Sequence, residues 1–409
     1  MYLVFALVIV LLLIVPATAS DFIISYWCGP RADLDPIARY AEVAECNFNY
    51  CLPPCSAVTP EQNKAILDAC AKYGLKYIIG DSRIFADPGK PDFSEQIDSV
   101  VADYSSYPAL GGYFITDEPN SAVFPRLAAI NKYLLKKDPK RLPYINLFPN
   151  YASEAQLGNP TYDAHVDQFC KTVKPLILSY DHYISMLGDP ENPPNIASYF
   201  QNLETVRAAG LKYDIPTCYI MLSLPHFSYR NPTEADLRWQ IYNSLVYGVK
   251  AILYFTYWTP GDSLGPLIAI LDQNGKRTAH YNQVRRINGE LKILGPTLMK
   301  LTSTGVYHSG DVPAGCGAQK SGLPVRVSND APVVLGIFKH EDGSVWAMVS
   351  NRLMRKPAKV ELTLGKSVKR LEEISAVSGV RLDHPPDASG VVSLELAPGE
   401  GKLFKLVRE

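Results

Sequence analysis

The sequence predicts a (β/α)8 barrel followed by a small C-terminal β-sandwich. Between residues 22 and 258, short runs rich in β-branched and aromatic residues alternate with segments whose apolar residues recur every three to four positions. Eight such units in roughly 270 residues match the size of a barrel of this kind. After the eighth helical segment the pattern changes to alternating β segments separated by Gly, Pro, Asn and Asp turns, which is typical of a sandwich.

Eight barrel strands are predicted, and a helix follows each of them. The strands are Phe22–Trp27, Glu45–Cys51, Lys76–Ile79, Gly112–Thr116, Pro143–Leu147, Leu176–Tyr180, Thr217–Met221 and Ala251–Tyr257. The helices are Asp35–Val43, Pro60–Tyr73, Ser94–Tyr104, Ala122–Lys137, Asp163–Val173, Ile196–Ala209, Thr233–Val246 and Thr278–Leu294. Pro60 after Thr59 suits a first helical position, and Thr233 with Asp236 resembles a capping pair.

The C-terminal segment is predicted to be all β. Its clearest strands are Val333–Phe338, Val345–Val349, Val360–Leu364 and Val391–Leu396. We therefore expect a barrel over residues 21–298 and a sandwich over residues 299–409.

The first twenty residues have the pattern of a secretory signal peptide. Leu3 to Val15 is almost wholly apolar, and small residues after Pro16 suit a cleavage site. The run is shorter than the roughly 20 residues of a membrane span; an uncleaved anchor is the alternative, because the usual basic start is missing. We expect a secreted, extracellular protein that is free of the membrane once the peptide is removed.

The composition argues against charged partners and for disulfide bonds. Forty Lys and Arg residues against forty-one Asp and Glu residues leave a net charge of −1, which provides no field to attract nucleic acid or anionic membranes. All eight cysteines follow the leader, and in an oxidising compartment some should pair. The sequence determines neither their connectivity nor the oligomeric state.

Reactive groups in such barrels lie at the C-terminal ends of the strands, where loops from several units converge. The predicted strand ends carry carboxylates, amides and aromatic rings, which suit a neutral sugar whose hydroxyls need polar partners and whose C–H face stacks on a ring. The residues expected to line a sugar site are Tyr26, Trp27, Asn146, Tyr180, His182, Tyr257 and Trp258. The alternative for the tryptophans and for His182 is a packed, structural role.

The most informative strand end is the fourth, where an apolar run stops at Asp117 and Glu118, followed by Pro119. Two adjacent carboxylates raise the pKa of one of them, which a general acid needs and a scaffold does not. A salt-bridged structural role for Glu118 is the alternative.

Three segments resemble TIM-barrel glycoside hydrolases of the β-galactosidase-like superfamily. These segments are Gly112–Pro119, Leu178–Tyr183 and Tyr247–Trp258, and the resemblance covers most of residues 22–300. It implies a glycoside hydrolase in which Glu118 matches the acid/base of the family motif Asn-Glu-Pro and Asp117 replaces the Asn.

The family's nucleophile, a Glu at the end of strand seven, has no counterpart in Tyr219–Ser223. The nearest candidate, Glu234, sits in a helix-start pattern, where a carboxylate complements the helix dipole. The second reactive group is therefore open.

Three solutions remain. In retaining hexosaminidases, which the Asp-Glu pair resembles, the substrate's 2-acetamido oxygen is the nucleophile, the Asp orients it and the Glu protonates the leaving oxygen. Alternatively, Asp181 after strand six is the nucleophile or base, at either the retaining or the inverting separation. The third solution is a barrel that binds glycans without cleaving them, or a scaffold.

Other chemistries lack their motifs. The seven histidines form no His-x-His or His-Glu-x-x-His pair, no Gly-rich phosphate loop or Gly-x-Ser-x-Gly turn follows a strand, and Lys250 lies at the wrong end of strand eight for a Schiff base. We therefore predict a cofactor-free, retaining glycoside hydrolase that acts on an oligo- or polysaccharide through Glu118, Asp117 and Asp181.

Overall fold

A computed structural model describes residues 21–184, 189–191, 193–225, 229–261 and 268–408. The predicted signal peptide, residues 1–20, lies outside these ranges. No helix within them combines the length and the apolar character that crossing a bilayer requires.

Eight parallel strands form a barrel, as predicted. They are β1 (Ile23–Tyr26), β2 (Tyr50–Cys51), β3 (Lys76–Gly80), β4 (Leu110–Asp117), β5 (Leu142–Leu147), β6 (Leu178–Asp181), β7 (Thr217–Leu222) and β8 (Ala251–Phe255). Neighbours pair in the order β1-β8-β7-β6-β5-β4-β3-β2. Asn49 connects the two ends of this sheet, because its backbone N–H donates to the Ile24 carbonyl at 3.1 Å and its side-chain oxygen accepts from the Ile24 N–H at 2.7 Å.

Helices surround the barrel. They are α1 (Pro36–Glu45), α2 (Pro60–Lys72), α3 (Phe93–Tyr104), α4 (Phe124–Lys137), α5 (Glu154–Leu157), α6 (Tyr162–Val173), α7 (Ile196–Tyr213), α8 (Glu234–Val246) and α9 (Ala279–Leu298). Thr59 and Thr233 cap α2 and α8 through reciprocal bonds with Gln62 and Asp236, which confirms the two helix starts read from the sequence.

The predicted second strand, Glu45–Cys51, is wrong over most of its length. Glu45 is the last residue of α1, and the chain then turns through Asn47, whose φ is 64°. Asparagine tolerates this left-handed conformation, so the apolar and aromatic residues around it belong to a turn. Only Tyr50 and Cys51 pair with β3.

Two antiparallel sheets pack together in the C-terminal part. Their strands are β9 (Leu301–His308), β10 (Val325–Val327), β11 (Val333–His340), β12 (Val345–Asn351), β13 (Ala358–Leu364), β14 (Val368–Ile374), β15 (Arg381–His384), β16 (Val391–Leu396) and β17 (Gly401–Arg408). The sheets have the orders β10-β13-β16 and β15-β14-β17-β12-β11-β9. Alternate residues such as Leu335, Leu362 and Phe404 fill the core between them, which confirms the predicted sandwich.

A disulfide bond joins Cys28 to Cys55, with 4.7 Å between their Cα atoms. It links the end of β1 to the loop that precedes α2, beside Trp27 at the mouth of the barrel. The expectation that some of the clustered cysteines pair is confirmed. Cys46, Cys51 and Cys70 are free thiols buried in the barrel wall.

Candidate active site

A β-bulge turns Asp117 into the barrel. Along β4, Phe114 pairs with Tyr144 of β5, but Thr116 pairs with Ile145, so one extra residue enters the strand. Without it, Asp117 would share the outward face of Tyr113 and Ile115, which are buried against the helices. Bulges re-aim side chains in this way next to functional sites, and here Asp117 comes to lie opposite Asn146.

The next residue, Glu118, has a φ of 43°, in the left-handed region. This conformation costs an L-residue about 1–2 kcal/mol. The Glu118 N–H donates to the Asn146 carbonyl at 2.9 Å, so backbone pairing to β5 compensates part of the cost. Bulge and turn together bring two consecutive carboxylates close enough to Asp181 for both to raise its pKa, although neighbouring side chains of a regular strand diverge.

Asn146 holds the carboxylates in place. Its side-chain nitrogen donates to Asp117 at 3.1 Å and to Asp181 at 2.9 Å. Its side-chain oxygen accepts from the Ser179 hydroxyl at 3.0 Å, and Ser179 lies 2.8 Å from the hydroxyl of Tyr144. Because this bond occupies the amide oxygen, the amide nitrogen points at the two acids.

Burial raises the pKa of all three acids, and repulsion between carboxylates adds to it in Glu118 and Asp181. Burial first, and then the Asp117 charge, raise the pKa of Glu118 to about 7. The pKa of Asp117 is raised by burial alone, and hydrogen bonds from the Asn146 side chain and the backbone at Glu118 oppose the rise. The pKa of Asp181, which is only 6% exposed, is raised well above the usual range by burial and by both other acids.

The side chains of Asp181 and Glu118 interact, and a hydrogen bond from Asp181 lowers the pKa of Glu118 against the effects of burial and of Asp117. A retaining glycosidase separates its two carboxyl groups by about 5 Å and an inverting one by about 6.5–9.5 Å, because sugar or water must fit between them. Asp181 thus joins the predicted cluster as a side-chain hydrogen-bonding partner of Glu118, which a carboxyl group placed across a substrate would not be.

The residues on either side of Asp181 point away from the cavity. Tyr180 is 1% exposed and its ring packs 5.6 Å from that of Tyr219, in the layer between barrel and helices. His182 is fully buried between Tyr151 and Tyr199, and burial lowers its pKa to about 3. The sequence predicts that both residues line the sugar site. Strand periodicity explains why both point away from Asp181 instead.

Three further aromatic candidates also face outward. The Tyr26 and Tyr257 rings stack 4.6 Å apart, and both side chains are fully buried. Trp258 is 5% exposed and packs under Gly275 and the Arg39 guanidinium. The expectation that these three residues contact a sugar does not fit their positions.

Trp27 lies at the barrel mouth, as expected. Its half-buried ring contacts Phe114 edge-on at 5.5 Å, which connects β1 to β4 across the barrel. Of the predicted sugar-contacting residues, Asn146 donates hydrogen bonds to two of the three acids, and Trp27 lies at the same end of the barrel.

Aromatic residues that the sequence analysis missed surround Asp181. Tyr151, Tyr183 and Tyr229 follow β5, β6 and β7, and all three interact electrostatically with the Asp181 carboxyl. The Tyr183 ring lies 5.3 Å from Phe255 and 6.5 Å from Tyr229. The signal for Tyr183 was present, because a side chain two positions after Asp181 shares its face.

A separate cavity of about 850 Å³ lies at the opposite end of the barrel, lined by residues such as Asp21, Lys140 and Lys250. Lys250 donates to the carbonyls of Leu298 and Leu301, and burial lowers its pKa to about 8. Its volume does not single it out, because a second cavity of about 990 Å³, lined by residues such as Glu191, Ile196 and Arg352, is larger. The strand starts bear on stability in barrels of this kind, whereas the chemistry takes place at the strand ends, so we place the candidate site at the three acids.

The fold is similar to solved structures at low sequence identity. A putative α-galactosidase/melibiase from Bacteroides fragilis NCTC 9343 has a TM-score of 0.53 and 13% identity, over 95% of this chain and 79% of that chain. A second putative α-galactosidase from the same organism has a TM-score of 0.53 and 11% identity over the same shares. A β-galactosidase from Marinomonas ef1 has a TM-score of 0.49 and 10% identity, over 68% of this chain and 60% of that chain.

No protein-family model and no curated protein sequence matches the chain. The likeness to the two Bacteroides fragilis structures therefore shows the fold, a barrel followed by a sandwich. Function has to be argued from the site.

Proposed function

We propose that the protein is a secreted glycoside hydrolase in which Glu118 is the general acid and then the general base. The observation that carries this proposal is the position and charge of Glu118. Burial and the neighbouring Asp117 bring its pKa to about 7, where a carboxyl group can both give and take a proton near neutral pH. A salt bridge would lower this pKa, so the raised value counts against a structural ion pair.

The substrate proposed is an oligo- or polysaccharide with a 2-acetamido sugar at the bond that is cleaved. Within two residues of the barrel strand ends, all of which are described, the carboxylates are Asp81, Asp117, Glu118 and Asp181. Asp81 is paired with Arg83 at 2.7 Å, and Asp181 is buried against Glu118. These contacts leave no carboxylate at the strand ends to act as the nucleophile beside Asp117 and Glu118. A nucleophile supplied by the substrate removes that need, as in other substrate-assisted glycosidases.

In this mechanism the acetamido carbonyl oxygen attacks C1 while the bond from C1 to the leaving oxygen breaks. The leaving oxygen takes the proton of Glu118. Asp117, fixed by Asn146, accepts the acetamido N–H and stabilises the positive charge of the cyclic intermediate. Glu118 then removes a proton from water, which opens the ring at C1. The sum is addition of one water across the glycosidic bond with retained configuration.

Three further observations support the proposal. The Cys28–Cys55 disulfide is typical of an oxidising compartment, which favours secretion. The mouth residues Trp27, Tyr183 and Tyr229 offer the flat rings on which sugars stack. The structural neighbours from Bacteroides fragilis bear the names of putative α-galactosidases, which supports a carbohydrate substrate without indicating a particular sugar.

The test is hydrolysis of p-nitrophenyl glycosides by residues 21–409, comparing N-acetylhexosaminides with the matching plain hexosides. We expect release of nitrophenol from the acetamido sugars, and a loss of roughly 10²-fold or more in the Asp117→Asn variant. Cleavage of plain hexosides at equal rates would require a nucleophile from the protein and would remove the substrate-assisted mechanism. Binding of glycans without turnover of either set of substrates would contradict the proposed hydrolase and favour a glycan-binding module.

A further inference from the structure

Asp181 is the most deeply buried of the three acids at the barrel mouth. It is 6% exposed, it accepts a hydrogen bond from Asn146 at 2.9 Å, and its side chain is hydrogen-bonded to that of Glu118. Two carboxyl groups in such contact need one proton between them, because two anions would only repel each other. The arrangement therefore holds a proton at the base of the cleft.

The surroundings place that proton on Asp181. Asp181 is buried more deeply than Glu118, so ionising Asp181 costs more, and burial with the charges of Glu118 and Asp117 raises its pKa well above the usual range. Five tyrosines of the packed elements interact with it electrostatically, and each has a raised pKa that keeps its hydroxyl neutral: Tyr144, Tyr151, Tyr162, Tyr183 and Tyr229. The adjacent His182 is neutral as well.

We propose that Asp181 is a positioning residue that stays protonated and donates a hydrogen bond to Glu118, rather than acting as nucleophile or base. Its other oxygen accepts from Asn146, so the direction of the donated bond is fixed. This inference rests on the proposed function and assigns Asp181 a role in the same site.

The hydrogen bond acts at the moment of proton transfer. While Glu118 is protonated, Asp181 donates to a neutral oxygen. When Glu118 gives its proton to the leaving oxygen, the same bond is made to a carboxylate, where hydrogen bonds are roughly twice as strong. Asp181 therefore opposes burial and the Asp117 charge, and it keeps Glu118 acidic enough to release the proton near neutral pH.

The test compares Asp181→Asn with Asp181→Leu. An Asn side chain can accept from Asn146 and donate to Glu118, as protonated Asp181 does, whereas Leu fills a similar volume and donates nothing. We expect kcat/KM of Asp181→Asn to stay within about tenfold of the wild type with the same alkaline limb of its pH profile. In Asp181→Leu, the alkaline limb should move to higher pH, since losing a bond to the ionised form raises the pKa of Glu118.

Asp98→Asn is the control, because Asp98 pairs with Lys137 at 2.9 Å on the helix surface, and circular dichroism shows whether each variant folds. A loss beyond about 10²-fold in Asp181→Asn, or restored turnover of Asp181→Ala by azide, would make Asp181 a reacting group and overturn the inference. An Asp181→Leu profile identical to the wild type would overturn it as well.

Infrared difference spectroscopy supplies a readout that does not depend on activity. At pH 8 the wild type minus Asp181→Asn spectrum should contain the carbonyl band of a protonated carboxyl group. Its absence would overturn the inference even if the wild type hydrolyses glycosides. Presence of the band in a protein that cleaves no glycoside would refute the proposed function and leave the protonated pair standing.

Discussion

Two parts of the barrel mouth use their strand ends in opposite ways. At β4 to β6, the acid sector (Asp117, Glu118, Asn146 and Asp181) points inward and is joined by hydrogen bonds. At β8 and β1, the aromatic sector (Tyr26, Tyr257 and Trp258) points outward and packs against α1 and α9. Whether a side chain points into the barrel or toward the helices, rather than its position near a strand end, therefore decides which residues reach a ligand.

Removing the proton donor should have the largest effect. Glu118→Gln keeps the shape of the side chain but carries no transferable proton, so we expect kcat to fall on the order of 10²–10⁴-fold. Steady-state kinetics on the acetamido substrate measures this loss. Glu234→Gln is the matched control, because Glu234 forms ion pairs with Arg238 and Arg286 on the outer helices; an equal loss in both variants would contradict a specific role for Glu118.

The aromatic sector should respond in stability and not in turnover. Tyr257→Ala removes a fully buried ring stacked on Tyr26 and should reduce the free energy of unfolding by about 3–5 kcal/mol. Tyr257→Phe keeps the ring and removes a buried hydroxyl that has no hydrogen-bond partner among the described residues, so stability should be unchanged or slightly higher. Urea unfolding measures both, and a higher KM in Tyr257→Phe at unchanged stability would put the hydroxyl in the site.

Trp27 provides a finer contrast, because it is the tryptophan of this region that faces the mouth. Trp27→Ala should raise KM about tenfold through the loss of stacking on the sugar, with a smaller change in kcat. The matched variant is Trp258→Phe, whose outward side chain should leave KM unchanged. If only Trp258→Phe raised KM, Trp258 rather than Trp27 would be the residue that contacts the sugar.

The smallest effect concerns pH and stability. The folded state raises the pKa of Glu118 from 4.5 to about 7, so the folded protein binds the proton more tightly than the unfolded chain. The resulting stability is fully present below pH 4.5 and is lost as the pH rises through about 7. Glu118→Gln should therefore raise the Tm relative to the wild type by a few degrees at pH 8 and much less at pH 4.5. Equal Tm differences at the two pH values would contradict the raised pKa.

The barrel and most of its elements follow from the sequence because hydrophobic periodicity is local information. The failures have physical causes. The predicted second strand is too long because the aromatic residues around Asn47 occupy a turn. The bulge that turns Asp117 inward is not predicted, because it depends on pairing with β5.

The site residues show the same division. Asp117, Glu118 and Asn146 were found because polar groups collect at strand ends. From the sequence, Tyr180 and His182 are expected in the same site as Asp181. Period-two alternation puts them on the other face of the strand and selects Tyr183 instead. The contact between Asp181 and Glu118 depends on the barrel's geometry, which carries no sequence signal.

The most direct test of proton donation by Glu118 is the dependence of rate on the leaving group. Glu118→Gln and the wild type are compared on N-acetylhexosaminides with dinitrophenyl and with methyl leaving groups. We predict a small loss of kcat/KM with dinitrophenyl, which departs without a proton, and a loss of kcat/KM on the order of 10²–10⁴-fold with methyl, which needs one. The comparison uses kcat/KM because it reports the step in which the leaving group departs, whereas the later activation of water by Glu118 affects both substrates equally. Equal losses on both substrates would mean that Glu118 does not protonate the leaving oxygen and would contradict the account.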